Sequence, residues 1–125
     1  MKVLTSFLIV LASSAAADHE LNSRDLNKGR ALYVETCASC HGSDLRGQPD
    51  WQIPNDEGIL PAPPHDRTGH TWHHDNALLF DYTKFGGRGT LALLGIKDFN
   101  SGMPAFESTL SDDMLSAVVS GRLEA

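Results

Sequence analysis

The stretch ETCASCHGSD, residues 35–44, places two cysteines two residues apart and follows the second directly with a histidine. Cys37 and Cys40 are the only cysteines of the 125-residue chain. A disulfide between them would close a loop too short to brace a domain, because the stabilisation from a disulfide grows with the length of that loop. Cys37, Cys40 and His41 therefore indicate a chemical site rather than a structural bridge.

Three kinds of site contain this spacing. A thioredoxin-like dithiol would follow a strand at the start of a helix, whereas a helical pattern precedes Cys37 here. A zinc site would need a second cysteine pair or two histidines at finger spacing. Covalent haem attachment has CxxCH as its known signature, because each thiol can add to one vinyl group while the next residue lies beneath the iron. The sequence favours this third interpretation.

The N-terminus has the features of a secretory signal peptide. Residues 1–17, MKVLTSFLIVLASSAAA, contain one lysine, an apolar run too short to span a bilayer and an A-x-A cleavage site. We expect cleavage before Asp18, a mature domain over residues 18–125 and export to the bacterial periplasm, where c-type haem is usually attached. The alternative is that residues 1–17 stay attached as a membrane anchor. If they are cleaved, no stable membrane insertion is expected.

The mature chain is small and acidic. Removing residues 1–17 leaves 108 residues, a size at which burial alone gives a modest margin of stability and a large bound cofactor would supplement the core. Lys2 is the only charge in the signal, so the formal net charge of −6 becomes −7 after cleavage. This charge argues against nucleic acid and anionic lipid, and suits a redox protein partner with a basic docking face. The oligomeric state stays open.

The mature sequence predicts helices joined by loops rich in glycine and proline, with no sustained alternation that would indicate strands. A first helix is predicted after Ser23 or Asn22, with four residues on one face. These are Leu26, Gly29, Tyr33 and Cys37. Five prolines in residues 42–74 predict a long loop.

Two further helices are predicted downstream. One begins after Asp75 and ends at Gly86-Gly87, and GTLALLGI can add a short helical piece. The last begins after Ser111, with acidic residues suited to the positive end of its dipole. Its inward-facing residues are predicted to be Leu115, Val118 and Val119.

Met103 is the candidate for a second axial ligand opposite His41. It lies 62 residues after His41 in the segment SGMPAF, and thioether sulfur is a soft ligand that favours ferrous iron. A lone methionine can also fill a gap in a core. Its position between Gly102 and Pro104, just ahead of the last helix, favours ligation, since Pro104 would stiffen the loop.

With these features in place, the chain resembles a class I (monohaem) cytochrome c over essentially the whole mature region. The resemblance rests on a helix ahead of CASCHG, a proline-bearing loop, a helix ending in KFGG, and GMPAF followed by LSDDMLSAVV. It implies an all-α class I cytochrome c fold of about three to five helices around one covalent haem c, with crossing first and last helices. Cys37 and Cys40 would tether the haem, and His41 and Met103 would ligate its iron.

The resemblance also implies that a loop proline accepts the Nδ1 proton of His41 through its carbonyl, and Pro61, Pro63 and Pro64 are equal candidates. The chain departs from the family near its C-terminus. Family members generally place an aromatic residue on the last helix against the glycine and aromatic of the first, whereas VVSGRLEA has Gly121 in that neighbourhood. We therefore expect a looser helix crossing or a truncated chain.

Two further groups are candidate functional residues. RTGHTWHHD, residues 67–75, contains three clustered histidines, which predict either a metal site or pH-sensitive patch or a plain loop with Trp72 against the haem edge or a propionate. We favour the loop, because His70, His73 and His74 without an acid or thiol at ligand spacing make an incomplete site. Arg88 is a second candidate partner for a haem propionate.

The function predicted from these features is that of a periplasmic one-electron carrier, not an enzyme. Two alternatives stay open. The first is a haem subunit of a larger oxidoreductase complex, and the second is a small peroxidase-like enzyme with a displaceable sixth ligand.

Overall fold

Four α-helices form the fold in a computed structural model that describes residues 23–123. They are α1 (Ser23–Thr36), α2 (Ala38–His41), α3 (Asn76–Leu93) and α4 (Asp112–Leu123). A single 3-10 turn, Thr71–His73, interrupts the long loop between α2 and α3. The predicted signal peptide and its cleavage site lie outside the described residues.

The helix starts follow from capping side chains, as the sequence predicts. Asp75 accepts a hydrogen bond from the backbone N–H of Leu78 at 2.8 Å at the start of α3. At the start of α4, the Ser111 hydroxyl accepts from the N–H of Met114 at 3.3 Å. Asp112 lies in the first turn of α4, where the dipole favours a carboxylate, and it binds the Lys84 ammonium of α3 at 2.8 Å.

The core lies where α1, α3 and α4 meet. Leu115 is fully buried, and the predicted inward residues Val118 and Val119 are buried beside it. The other members of this cluster are Leu32, Tyr33, Leu45, Leu79 and Leu110. The cluster therefore joins both terminal helices to the central one and to the start of the long loop.

Helices α1 and α4 cross in direct backbone contact, which makes the expectation of a looser crossing wrong. Gly29 and Gly121 face each other, and a Cβ added at Gly121 would lie 2.9 Å from the Arg30 nitrogen and the Gly29 carbonyl carbon. A Cβ added at Gly29 would overlap the Ala117 carbonyl oxygen. In place of the aromatic contact typical of the family, two glycines allow the backbones of α1 and α4 to pack directly against each other.

The end of the middle helix also differs from the prediction. Gly86 alone breaks the helical path, with φ 72° and ψ 169°, and helical residues continue from Gly87 to Leu93. Gly86-Gly87 is therefore a kink rather than a stop, and the segment GTLALLGI does contribute to a helix.

Loops make up the remainder of the described chain. Between residues 23 and 123, the β-type pairing consists of one isolated parallel bridge, Ile59 with Asn100. This bridge ties the proline-bearing loop to the segment ahead of Met103. No helix within the described residues is long and apolar enough to cross a bilayer. The all-α expectation is confirmed.

Candidate haem site

The CxxCH segment forms a tight turn that leads from α1 into the core. The N–H of Cys37 donates to the Tyr33 carbonyl at 2.8 Å, and the N–H of His41 donates to the Cys37 carbonyl at 3.0 Å. Cys37 is half-buried and Cys40 is exposed, whereas the His41 side chain is buried. This turn therefore buries one imidazole, places Cys37 against the core and leaves Cys40 at the surface.

Pro63 is the proline that orients His41. The ring Nδ1 of His41 lies 2.9 Å from the Pro63 carbonyl oxygen, and since a carbonyl can only accept, Nδ1 donates. Nε2 then carries the lone pair, which is the arrangement a proximal haem ligand needs. Among the three candidates from the sequence, the structure thus gives Pro63 this contact.

Gly47 allows the Pro63 carbonyl to reach His41. Its φ is 68°, and an added Cβ would lie 2.6 Å from the Ala62 oxygen, the Pro63 carbonyl carbon and the Pro64 nitrogen. Gln48 holds the same two segments together, because its backbone N–H donates to the Ala62 carbonyl at 2.9 Å. Two parts of the long loop are therefore held against each other behind His41.

One cavity brings the predicted iron ligands together. Its lining residues are Tyr33, Cys37, His41, His65, Thr83, Met103 and Val118. An imidazole and a thioether thus border the same space, with a thiol on its wall. This donor set suits haem c, which needs thiols for its vinyl groups and two axial ligands for a six-coordinate iron. The residues present fit the cofactor.

The Met103 loop is held on the kink of α3. The Met103 carbonyl accepts from the N–H of Gly87 at 3.1 Å, and a Cβ at Gly86 would lie 2.8 Å from the Ala105 nitrogen. The Ser101 hydroxyl accepts from the Met103 N–H at 3.3 Å. Gly86 and Gly87, which the sequence predicts as a helix stop, form the surface on which the Met103 loop rests.

Arg88 and Trp72 both have hydrogen-bond acceptors on the protein itself. Arg88 Nε donates to the Ser101 carbonyl at 3.1 Å, so it braces the Met103 loop. The Trp72 side chain is 65% exposed, and its indole N–H donates to the Gly69 carbonyl at 3.0 Å. Propionate binding by either residue stays a prediction.

His65 belongs to the cavity and was missed from the sequence. Its ring stacks on His41 with the centroids 4.1 Å apart and the planes at 22°, and its Nδ1 lies 2.9 Å from the Thr71 hydroxyl oxygen. Its position directly after the proline run LPAPP is the signal that could have found it. Stacking on one side and the Pro63 bond on the ring edge leave His41 little rotational freedom.

The three clustered histidines flank Thr71 in the sequence, and the Thr71 hydroxyl contacts His65. Ring nitrogens of His70, His73 and His74 all lie within 4.8 Å of one another. His70 Nδ1 and His74 Nε2 are 3.0 Å apart and share a hydrogen bond. Burial, followed by the neighbouring imidazoles of His73 and His70, lowers the pKa of His74.

An all-α domain with a CxxCH segment, whose oriented histidine borders the same cavity as a methionine, is typical of the class of monohaem c-type cytochromes. The family described as "Cytochrome C oxidase, cbb3-type, subunit III" matches residues 24–120, and the chain belongs to it. The domain therefore carries covalent haem c, in agreement with the class I cytochrome c fold expected from the sequence. No curated protein and no solved structure matches the chain.

Proposed function

We propose that residues 18–125 form a periplasmic one-electron carrier with a single haem c tethered by Cys37 and Cys40 and ligated by His41 and Met103. The observation that carries this proposal is the shared cavity of His41 and Met103. Different elements carry the two proposed ligands: His41 is the last residue of α2, whereas Met103 lies on a loop that contacts α3.

The residues around the cavity are suited to hold both ligands still. When bound, haem c supplies the ferric/ferrous couple. His41 is restrained by the Pro63 carbonyl and by the His65 ring, and Met103 by its bonds to Gly87 and Ser101. Ligands that keep their positions in both oxidation states reduce the rearrangement that accompanies each electron. This restraint favours transfer over ligand exchange, and hence the carrier over the peroxidase-like alternative.

Haem-subunit status in a larger complex is the second candidate function. It rests on the description of the matching family, which names a subunit of a cytochrome c oxidase. The negative charge of residues 18–125, −7, suits either a transient or a stable partner with a basic face. Purification of the protein at native abundance from its host tests the choice: a free shuttle elutes alone, whereas a subunit co-elutes with a larger redox protein at stoichiometric ratio.

The ligand assignment is tested by two matched methionine variants. Met103 lines the cavity, whereas Met114, the other methionine of residues 18–125, packs against the core cluster. Met103→Leu should abolish the weak sulfur-to-iron charge-transfer band of the ferric haem and lower the reduction potential, because thioether ligation favours ferrous iron.

Met114→Leu, the control, should keep the band, since leucine replaces methionine with little change in volume. A wild-type protein that holds haem covalently but lacks this band would remove Met103 as ligand. The peroxidase-like alternative would then gain support if the ferrous protein bound carbon monoxide.

A further inference from the structure

Three histidines form a compact group on the loop ahead of α3. The structure brings one ring nitrogen from each of His70, His73 and His74 within 4.8 Å of the others. His70 and His73 are exposed and His74 is half-buried, so the group opens to solvent. It is separate from the haem cavity, whose wall includes none of the three.

The backbone holds this group in place. Thr71–His73 is a 3-10 turn, closed by a hydrogen bond from the N–H of His74 to the Thr71 carbonyl at 3.2 Å. The Thr71 side chain is buried, 4% exposed, and its hydroxyl contacts His65. The buried Thr71 side chain thus anchors the turn to the protein interior, while the imidazoles of the turn and of its two flanking residues lie close together.

We propose that His70, His73 and His74 form a surface binding site for a divalent late first-row transition ion, with Cu²⁺ preferred over Zn²⁺. Neutral imidazole is a common ligand for both ions. Affinities of nitrogen sites generally follow the Irving–Williams order, in which Cu²⁺ exceeds Zn²⁺. The sequence alone does not show that the three ring nitrogens converge, which is why it favours a plain loop.

The distances suit such an ion. Adjacent nitrogens about 2.0–2.1 Å from one metal lie roughly 3 Å apart, and His70 Nδ1 is 3.0 Å from His74 Nε2. The outer limit of 4.8 Å means that one ring must move inward by on the order of 1 Å, which exposed side chains can do by small rotations. An ion would replace the hydrogen bond between two imidazoles, and a fourth position would remain for water.

The Asp75 carboxylate next to the cluster has a different role. Its Oδ1 accepts from the Leu78 N–H at 2.8 Å, so it caps α3. The site is therefore expected to bind through three imidazoles and no carboxylate. A site made of three imidazoles predicts that the EPR spectrum of bound Cu²⁺ shows splitting by nitrogen nuclei.

The test measures metal bound to the mature holoprotein after equilibrium dialysis against micromolar Cu²⁺, and in parallel Zn²⁺. All samples carry His19→Gln, because a histidine one residue after a free amino terminus at Asp18 would bind Cu²⁺ by itself. We expect one Cu²⁺ per haem iron, with nitrogen superhyperfine splitting in the copper EPR spectrum and Cu²⁺ displacing Zn²⁺.

Single variants His70→Gln, His73→Gln and His74→Gln should each weaken Cu²⁺ binding by on the order of tenfold or more, and the triple variant should abolish it. Arg67→Gln, an exposed position in the same loop, is the control and should bind one ion. Absence of bound copper in the protein with the intact cluster would overturn the proposal, as would undiminished binding in the triple variant. The haem absorption spectrum of each sample reports folding and the axial ligands separately, so the outcome is independent of the electron-carrier proposal.

Discussion

At the scale of single residues, the site depends on where one carbonyl oxygen lies. The Pro63 oxygen accepts from His41 Nδ1 at 2.9 Å, and this bond increases the basicity of the ring. A more basic proximal ligand stabilises ferric iron and lowers the reduction potential. Gly47 permits the bond because only a residue lacking Cβ fits against residues 62–64, and its own N–H donates to the His41 carbonyl at 2.8 Å.

Gly47→Ala should therefore raise the reduction potential of the haem. The methyl group would meet backbone atoms at 2.6 Å and push the Pro63 carbonyl away from His41. Unfolding free energy should fall by about 1–3 kcal/mol from overpacking, in addition to about 1–2 kcal/mol from an alanine at positive φ. Spectroelectrochemistry and denaturant titration measure the two effects.

Gly58→Ala is the matched control for this prediction. Gly58 has nearly the same φ, 73°, but no atom within 4 Å of an added Cβ. It should show only the backbone strain and an unchanged potential. Equal potentials in the two variants would contradict a role for Gly47 in placing Pro63.

At the scale of elements, one contact between two helices and one contact between a helix and a loop are made at glycine. The α1–α4 crossing has Gly29 against Gly121, and the Met103 loop rests on Gly86 and Gly87. Glycine is unfavourable inside a helix by roughly 1 kcal/mol relative to alanine. Replacing a helical glycine by alanine would stabilise an isolated helix. If the same substitution lowers the stability of the folded protein, the close backbone approach outweighs the gain in helix propensity.

Gly29→Ala should destabilise the protein by at least about 1–3 kcal/mol, despite its better helix propensity. The added Cβ overlaps the Ala117 carbonyl oxygen, and α4 would have to shift away from α1. Thermal unfolding of the holoprotein measures the loss. Lys28→Ala, an exposed neighbour on the same helix, should leave stability within about 0.5 kcal/mol; a similarly neutral Gly29→Ala would refute the tight crossing.

Gly87→Ala should disturb the proposed methionine ligation by displacing the loop that contacts Gly87. Its Cβ would overlap the Ser101 hydroxyl and lie 2.9 Å from the Tyr82 hydroxyl, so the loop that ends in Met103 must move. We expect a weakened or absent sulfur-to-iron band in the ferric spectrum. Gly89→Ala, in the same helix and near only the Phe85 Cβ at 3.1 Å, should keep the band.

At the scale of the whole molecule, charge is the property that governs encounter. With residues 1–17 removed, the formal net charge is −7, and a field of this sign accelerates association with positive partners. Electron transfer from a small cationic reagent should slow as ionic strength rises, because the Debye length shrinks from about 10 Å at 0.1 M to about 3 Å at 1 M.

Transfer from an anionic reagent of similar potential should accelerate over the same range of ionic strength. Stopped-flow measurements with both reagents separate charge from driving force. Identical salt dependence for the two reagents would show that the net charge has no influence at the site where electrons enter.

Features with short-range causes were predictable from the sequence. The caps Asp75 and Ser111, the apolar spacing of α1 and the CxxCH turn each depend on residues within a few positions of one another. The prediction of the starts of α3 and α4, of the all-α class and of haem c follows from such local patterns, whereas the predicted end of α3 at Gly86-Gly87 was wrong. Residues 42–74 could be recognised as a loop for the same reason, since each proline acts on its own backbone.

Tertiary structure alone decided which distant residues meet. Pro63 rather than Pro61 or Pro64 contacts His41, and His65 stacks on that ring. These choices depend on how a loop without a repeating backbone conformation packs, and no periodicity in the sequence encodes such packing.

The glycine contacts and the histidine cluster have the same origin. The sequence suggests that Gly121 replaces an aromatic residue and that Gly86 ends a helix. In the fold, each of these glycines is in close contact with the backbone of another segment. The distance between His70 and His74 nitrogens likewise depends on the turn between them. The sequence by itself determined where α3 and α4 begin, the CxxCH motif and the net charge, because the first two depend on neighbouring residues and the last is a sum over the chain. The close approaches are non-local, and only the folded chain defines them.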